Sequence, residues 1–526
     1  MKSPVPFAIV VVLASLSAAE RADACGGLFC AAVSPTPVDQ TSEKIIFEVD
    51  DEGAVTATVE VRYEGNPADF SWIIPIPGTP EFVEVAGKNE LLLLDAATAP
   101  SFTFPTVNGC GGGGGLACAD ASISSPSLDG GEGEGEGVRV TQYPSVGPFD
   151  DIVAVEGGDP QVLAQWLRDH GYQVTDGMLP YIEDYTLEGQ SFLAVRLRDD
   201  AETRDIVPIR FHCPVPNPTI PLQLTAIAAE PQMGFLVFVI GPRRFTTLNA
   251  VEVAIDAADV HIDTFGQNNY FPLVSKRIDE AGGFGFVVER AQPAATIRQR
   301  IQNTFIDGSE EEQEAREALT TLLTDDRYVT RFYGRMDPDE MLEDPIFTAA
   351  PEGTPDVVGI IDLSTQVYDD CRVPTMPICG GLYCGADDAC AASDLGEGCV
   401  CGEGRVARLI NGPSGRLEVA CSSLTIDLHG AGTDACAGAP CGELGTCVPL
   451  NDRPTCRCDE GAVAVVDRGL VTCMPQTSPV YDSDTLLWPE FVDDTGCAAS
   501  RRQAGGSLSL LLLFASGVAV RLRRRR

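Results

Sequence analysis

Phe235-Leu236-Val237-Phe238-Val239-Ile240 is apolar at every position and built from aromatic and branched residues. A short continuous run of this kind suits a strand buried on both faces. Such a strand needs neighbours, and the surrounding sequence supplies them. Lys44–Val49 and Val55–Tyr63 alternate apolar and polar residues on either side of Asp50-Asp51-Glu52-Gly53, which predicts a hairpin. Phe70-Ser71-Trp72-Ile73-Ile74 reads as a strand after which Pro75, Pro77 and Pro80 stop sheet pairing, so the chain leaves on an edge. Phe192–Leu197, Ile206–Phe211 and Leu222–Ala228 read as further strands.

Helices are fewer. Asp159-Pro160 supplies an N-cap and a first-turn proline for a helix through Val162, Leu163, Trp166 and Leu167 that Gly171 ends. Glu310–Leu323 carries Ala315, Ala318, Leu319, Leu322 and Leu323 on one side, and Ala294–Gln302 reads as a third helix. These helices interrupt the strands rather than alternate with them. The class is therefore α+β, with a mainly antiparallel β head over residues 25–371. Residues 108–137 hold Gly111–Gly115 and an alternating Gly-Glu run, cannot bury a core, and predict a disordered surface loop. The glycine run lacks the Lys-Ser/Thr of a phosphate loop, so nucleotide binding is disfavoured.

Beyond the head the cysteines take over. Cys379, Cys384, Cys390, Cys399, Cys401 and Cys421 are separated by 4, 5, 8, 1 and 19 residues. Cys436, Cys441, Cys447, Cys456, Cys458 and Cys473 repeat the first four gaps and close with 14. This is a tandem repeat of a small disulfide-stapled unit, which requires an oxidising compartment. Residues 474–495 read as a linker rich in Pro, Ser and Asp.

Both ends carry addresses. Met1-Lys2, an apolar stretch from Val5 to Leu16 and Ala22-Asp23-Ala24 form a signal peptide over residues 1–24, cut after Ala24 or, alternatively, after Ala19. Gly496-Cys497, an apolar run from Ser507 to Val520 and the closing arginines make a tripartite sorting tail over residues 496–526; a plain tail anchor is the alternative. Removing Cys497 from the 19 cysteines leaves an even number that can all pair.

The net charge is −41, from 77 acidic against 36 basic residues, which disfavours nucleic acid as a partner. His170, His212, His261 and His429 show no metal-ligand spacing. His212 beside Cys213 invites a nucleophile reading. In an oxidising compartment a disulfide is the commoner state of such a cysteine. Local pairing would join Cys25 to Cys30, Cys110 to Cys118 and Cys213 to Cys371, one of 15 possible connectivities. No catalytic motif with a mechanism is present, and no cofactor is expected; weak calcium binding by the acidic surface is not favoured.

Three resemblances add to this reading. Cys25-Gly-Gly-Leu-Phe-Cys30, Pro37-Val38-Asp39-Gln40, Tyr63-Glu64-Gly65, Asp69–Pro77, Val146-Gly-Pro-Phe-Asp150 and the Trp166 helix ending at Gly171-Tyr172 together resemble the bacterial domain of unknown function 2330 over roughly the first 300 residues. That family implies no substrate and no catalytic residues. The six-cysteine units resemble epidermal-growth-factor-like modules, through the single residue (Val400; Arg457) between their fourth and fifth cysteines. The resemblance implies the pairs Cys379–Cys390, Cys384–Cys399 and Cys401–Cys421, then Cys436–Cys447, Cys441–Cys456 and Cys458–Cys473, on two short hairpins per unit. Calcium-binding members carry an acidic cluster before the first cysteine, whereas Thr375–Ile378 has none and Thr433-Asp434-Ala435 has one acid. Gly496-Cys497, Leu510–Leu513 and the terminal arginines resemble the MYXO-CTERM sorting signals. They imply anchoring at Cys497 and display on the outer surface.

The expectation is an exported, surface-anchored, non-enzymatic protein. Its head binds an extracellular protein or glycan, its units serve as a spacer or as a second binding element, and its tail engages the membrane. A secreted hydrolase with its site in the head and a structural envelope component are the rivals. Cys25-Gly-Gly-Leu-Phe-Cys30 and Cys379-Gly-Gly-Leu-Tyr-Cys384 are nearly the same hexapeptide, so the start of the first unit can also be read as part of the head.

Overall fold

The computed structural model describes residues 40–482 together with Leu28 and Phe29, with breaks of which 61–70, 108–137, 261–267, 369–378 and 424–435 are the longest. The apolar run that opens the sequence reading lies in Ala229–Gly241, a 13-residue strand inside an eight-stranded sheet. The strand order is Val251–Val253, Gly285–Pro293, Tyr328–Met336, Ala229–Gly241, Gln40–Val49, Val55–Glu60, Ile209–Cys213 and Phe82–Val85. Two neighbour pairs are parallel, Ala229–Gly241 with Gln40–Val49 and Val251–Val253 with Gly285–Pro293; the others are antiparallel.

A second sheet of five antiparallel strands is ordered Leu28–Phe29, Ser71–Ile76, Ser191–Leu197, Phe149–Glu156 and Arg139–Tyr143. Alternation divides its residues between two cores. Trp72, Ile74, Leu193 and Val195 pack with Ile45, Phe47 and Val59 of the large sheet. Ile73, Val153, Val155, Phe192 and Ala194 pack under Pro160–Asp169 and Leu179–Leu187. Helices Lys88–Thr98, Tyr270–Glu280, Ala294–Asn303 and Glu310–Leu322 cover the far face of the large sheet, which completes an α/β/β/α stack. The head is α+β and mainly antiparallel.

Two expectations need correcting. Ser71–Ile76 runs on through Pro75, which pairs with Phe192; pairing on the other side ends at Trp72, so the proline sits on an open edge among the described residues. Leu222–Thr225 is a helical turn after Pro221, not a strand. Its alternation is real, but Leu222 enters the larger core and Leu224 the smaller, so one turn serves both.

The cysteine-rich region has two hairpins per unit. They are Ala389–Ser393 with Gly396–Cys399 and Arg405–Asn411 with Leu417–Ser423, then Gly445–Leu450 with Arg453–Cys458 and Ala462–Asp467 with Leu470–Pro475. The units are not beads on a string. Cys399 of the first pairs with Ala464 of the second, and Ala407 of the first with Cys456 of the second, so each sheet is shared. The crossing is tight: a Cβ on Gly398 would lie 2.3 Å from the Ala464 carbonyl oxygen, so only glycine fits. The expected linker begins later than the sequence suggests. Met474 and Pro475 end the last hairpin, and Tyr481–Asp482 add an edge strand against Ala389 and Cys390.

Nor does this region stand clear of the head. Arg335 of Tyr328–Met336 pairs with Glu418 of Leu417–Ser423, with side chains 0% and 1% exposed. Arg335 Nε also donates to the Gln232 carbonyl at 3.0 Å. A spacer role predicts a solvated junction; this one is dry.

Candidate functional site

The site begins with an irregularity in a strand. The register between Gly285–Pro293 and Tyr328–Met336 shifts between Val288 and Arg290, so Glu289 is an extra, bulged residue. Glu289 and Arg290 are both buried, and a buried charge needs partners. The Tyr270 hydroxyl donates to Glu289 Oε1 at 2.7 Å, and Arg331 Nε donates to Oε2. Arg331 Nη1 donates to Asp95 Oδ1 at 2.7 Å, and Lys44 Nζ donates to Asp95 Oδ2 at 3.0 Å. The Arg331 guanidinium also lies 5.4 Å from the ring centre of Phe238, in the strand that opens the sequence reading. Two cations and two carboxylates thus close a neutral chain.

Arg290 finishes a helix instead. Its Nε donates to the Thr98 carbonyl at 2.8 Å and its Nη2 to that of Ala99 at 3.1 Å, while Arg300 Nε donates to that of Ala97 at 2.6 Å. Lys88–Thr98 has no basic residue in its last turn, so these arginines supply the charge and donors its C-terminus lacks. Burial, with Arg300 and Arg331 nearby, pulls the Arg290 pKa down to about 10. Burial alone would raise Asp95, but Arg331 and Lys44 outweigh it and hold the carboxyl below its ordinary value. Burial and then Glu289 push Tyr270 well above the usual phenol range, so it stays a donor.

Over this network lies a crevice of about 480 Å³. One wall is the chain at Glu252–Ile255, the other is 356–361, and Val287, Val288, Glu289 and Tyr270 form the floor. Val251–Val253 pairs as far as Val287, and Val357 exchanges two backbone hydrogen bonds with Ala291 (2.8 and 2.9 Å). Between those contacts, Val288–Arg290 have no strand on this side among the described residues. Gly359, at φ +65°, brings the second wall close: a Cβ there would sit 2.8 Å from the Glu289 carbonyl oxygen. Val358 and Ile360, 51% and 55% exposed, edge the mouth.

The DUF2330 family, described as an uncharacterized protein conserved in bacteria, matches residues 19–348. The chain belongs to this family. Neither the search of curated proteins nor that of solved structures found a match. The DUF2330 match takes in Lys44, Asp95, Tyr270, Glu289 and Arg331 but stops short of 356–361, so one wall of the crevice lies outside it.

Within this DUF2330 head, His212 and Cys213 point to opposite faces of one strand. His212 Nδ1 lies 2.9 Å from Thr56 Oγ1 and its ring stacks on Phe82. Cys213 instead faces the space between the sheets, in a cavity of about 60 Å³ with Trp72, Phe211 and Glu43. Its thiol is free and buried, so the expected bridge to Cys371 is not formed. The reason is position: Cys213 ends an inward-facing row, Ile209, Phe211 and Cys213, inside the core. Burial pushes the thiol up to about 12, which leaves it without thiolate character at neutral pH. Burial likewise raises Glu43 to about 8.

The six described disulfides are Cys379–Cys390, Cys384–Cys399, Cys401–Cys421, Cys436–Cys447, Cys441–Cys456 and Cys458–Cys473. The sulfurs of Cys379, Cys384 and Cys399 lie within 4.8 Å of one another, but all three are in disulfides and offer no thiolate to a metal. His170 stacks on Trp166. Ala24, Cys25, Cys30, Cys110, Cys118, Cys371, Cys497, His261, His429, the 108–137 loop and both terminal addresses lie outside the described residues. Among the described residues no helix is long and apolar enough to cross a membrane. Sequence reasoning missed the crevice network. Its only local trace is the pair Glu289-Arg290 inside an otherwise apolar stretch.

Proposed function

We propose that this protein is exported, held at the outer cell surface, and binds an extracellular protein or glycan through its head without transforming it. The observation that carries this is the closure of the network under the crevice. Glu289, Asp95, Arg331 and Lys44 already neutralise one another, so the floor of the crevice offers shape and apolar contact rather than a free acid, base or nucleophile. Signal and tail patterns support export and anchoring. The two units read as epidermal-growth-factor-like modules. Their support is the first-to-third, second-to-fourth, fifth-to-sixth order of the disulfides and the single residue between the fourth and fifth cysteines. Shared sheets and the buried Arg335–Glu418 pair favour their acting as a fixed flank of the head rather than as a spacer.

Glycan and peptide arrays probed with the full chain, paired with turnover assays on pooled polysaccharides and peptides, test the proposal. Binding without turnover is the expected result. Turnover would replace it with the hydrolase reading, and silence on both would favour a structural envelope role.

A further inference from the structure

We infer that the first cysteine-rich unit carries a thiol–disulfide exchange site. There a thiolate, from a small thiol or an oxidoreductase, converts Cys379–Cys390 and Cys384–Cys399 into Cys379–Cys384 and Cys390–Cys399. The site is independent of what the head binds. Three observations carry it. First, the two bridges touch. Cys384 Sγ lies against Cys379 Sγ, and the sulfurs of Cys379, Cys384 and Cys399 lie within 4.8 Å of one another. Among the described residues no other three cysteines gather in this way, although the second unit has the same pairing order. Second, the new partners are already placed. Cys390 and Cys399 stand directly opposite one another on their hairpin, as Cys447 and Cys456 do in the second unit. Residues so paired have Cα atoms about 4.5–5.5 Å apart, inside the range that a disulfide spans. Third, Cys379-Gly-Gly-Leu-Tyr-Cys384 has two glycines to close a short ring, and it nearly repeats Cys25-Gly-Gly-Leu-Phe-Cys30, for which local pairing is expected. The second unit has Cys436-Ala-Gly-Ala-Pro-Cys441 there, and its proline stiffens the ring.

The exchange balances without net oxidation. The incoming thiolate attacks Cys399 Sγ, the Cys384–Cys399 bond breaks, and Cys384 leaves as a thiolate. Cys384 then attacks Cys379 Sγ and expels Cys390, which attacks Cys399 Sγ and returns the incoming thiolate. All four cysteines are buried, so the thiol enters through local opening. The consequence is mechanical. The chain through Cys384, which arrives from the head, loses both covalent ties to the hairpin, while the hairpin keeps a staple of its own.

The test uses the full chain. Cys390→Ser leaves Cys379 as a thiol beside the Cys384–Cys399 bridge. Attack of its thiolate on Cys384 Sγ forms Cys379–Cys384 and releases Cys399. N-ethylmaleimide labelling under denaturing, mildly acidic conditions should therefore mark Cys399, whereas the matched Cys447→Ser should mark Cys436, the partner it strands. Native chain held with catalytic glutathione in mildly alkaline buffer should gain Cys379–Cys384 and Cys390–Cys399 in about 1–10% of molecules. Cutting after Tyr383 and before Asp387 and Asp394 separates the four cysteines, so mass spectrometry of the linked peptides reads the pairing. Label on Cys379 or Cys384 in Cys390→Ser would overturn the site. Equal exchange in both units would do the same. If Cys390→Ser fails to fold, the native chain decides: pairing that stays as it was, or scrambles to Cys379–Cys399 and Cys384–Cys390 as often, would overturn it.

Discussion

The head buries Phe235, Phe238, Phe332 and Phe347 between its layers, whereas the cysteine-rich region has an interior of Cys379, Cys384, Cys390, Cys399, Cys441, Cys456 and Cys473 with Ala407, Val419 and Ala464. One part has enough apolar surface to hold two sheets and two helical layers together. The other is too small for that and uses covalent bonds in place of aromatic packing. The difference teaches where each depends on its surroundings. The sheets of the head should tolerate reducing agents, because all six described disulfides lie between Cys379 and Cys473. The cysteine-rich region should not, and because its two units share both sheets they should fail together.

The largest effect expected is therefore from reduction. Each bridge closes a span of 11 to 20 residues. A loop of about 15 residues is worth roughly 3 kcal/mol, so losing six should unfold the region outright. Hydrogen exchange after reduction should show loss of protection across 389–475 with the strand Ala229–Gly241 still protected. The joint paired change Cys441→Ala and Cys456→Ala sharpens the comparison. Loss of protection in the first unit as well as the second is expected; loss confined to 441–473 would mean independent modules.

Next comes the contact between the two regions. Arg335→Met leaves Glu418 buried without its cation and should cost about 3–5 kcal/mol in urea unfolding, whereas adding Glu418→Leu should recover much of the loss. A cost near zero would break the account of a dry, fixed junction.

An effect of comparable size across its whole range, confined to the head, depends on pH. The folded state raises Glu43 from 4.5 to about 8, so between these values the folded chain keeps a proton that the unfolded chain releases. The contribution of Glu43 is fully present below pH 4.5, is lost progressively as pH rises to about 8, and then levels off. The slope is about 1.4 kcal/mol per pH unit within that window. Glu43→Gln should remove this share, so the variant gains on the native chain as pH rises; parallel stability curves would contradict it. Smallest is Tyr270→Phe, which removes one of the two donors to Glu289 and should cost about 1–2 kcal/mol in thermal or urea unfolding.

The two regions also differ in how much of them could be read from sequence. In the head, features set by neighbouring residues were legible. The Asp50–Gly53 turn closes with Ala54 N–H on Asp50 Oδ1, and the Asp159 side chain caps the first turn of Pro160–Asp169. Helix Lys88–Thr98 was not, because four consecutive leucines from Leu91 to Leu94 hide a helical period. The crevice network was illegible for another reason. Asp95 and Arg331 are 236 residues apart, and their pairing follows from strand order, which no local pattern encodes. In the cysteine-rich region the spacing pointed to stapled units, and the resemblance to epidermal-growth-factor-like modules implied two hairpins in each. It could not reveal that the hairpins exchange partners, because Cys399 against Ala464 and Ala407 against Cys456 are contacts between units, whereas the repeated spacing describes each unit alone. Free Cys213 was misread by pairing arithmetic, which counts cysteines without seeing that one of them lies in the core.

The central claim is that the head binds at its crevice and leaves its ligand intact. Calorimetric titration of the full chain with the best array ligand, followed by mass spectrometry of the recovered ligand, tests it most directly. The account predicts saturable binding, an unchanged ligand mass, and about tenfold weaker binding by Val358→Asp. A cleaved ligand, or equal affinity for native and variant chains, would contradict it.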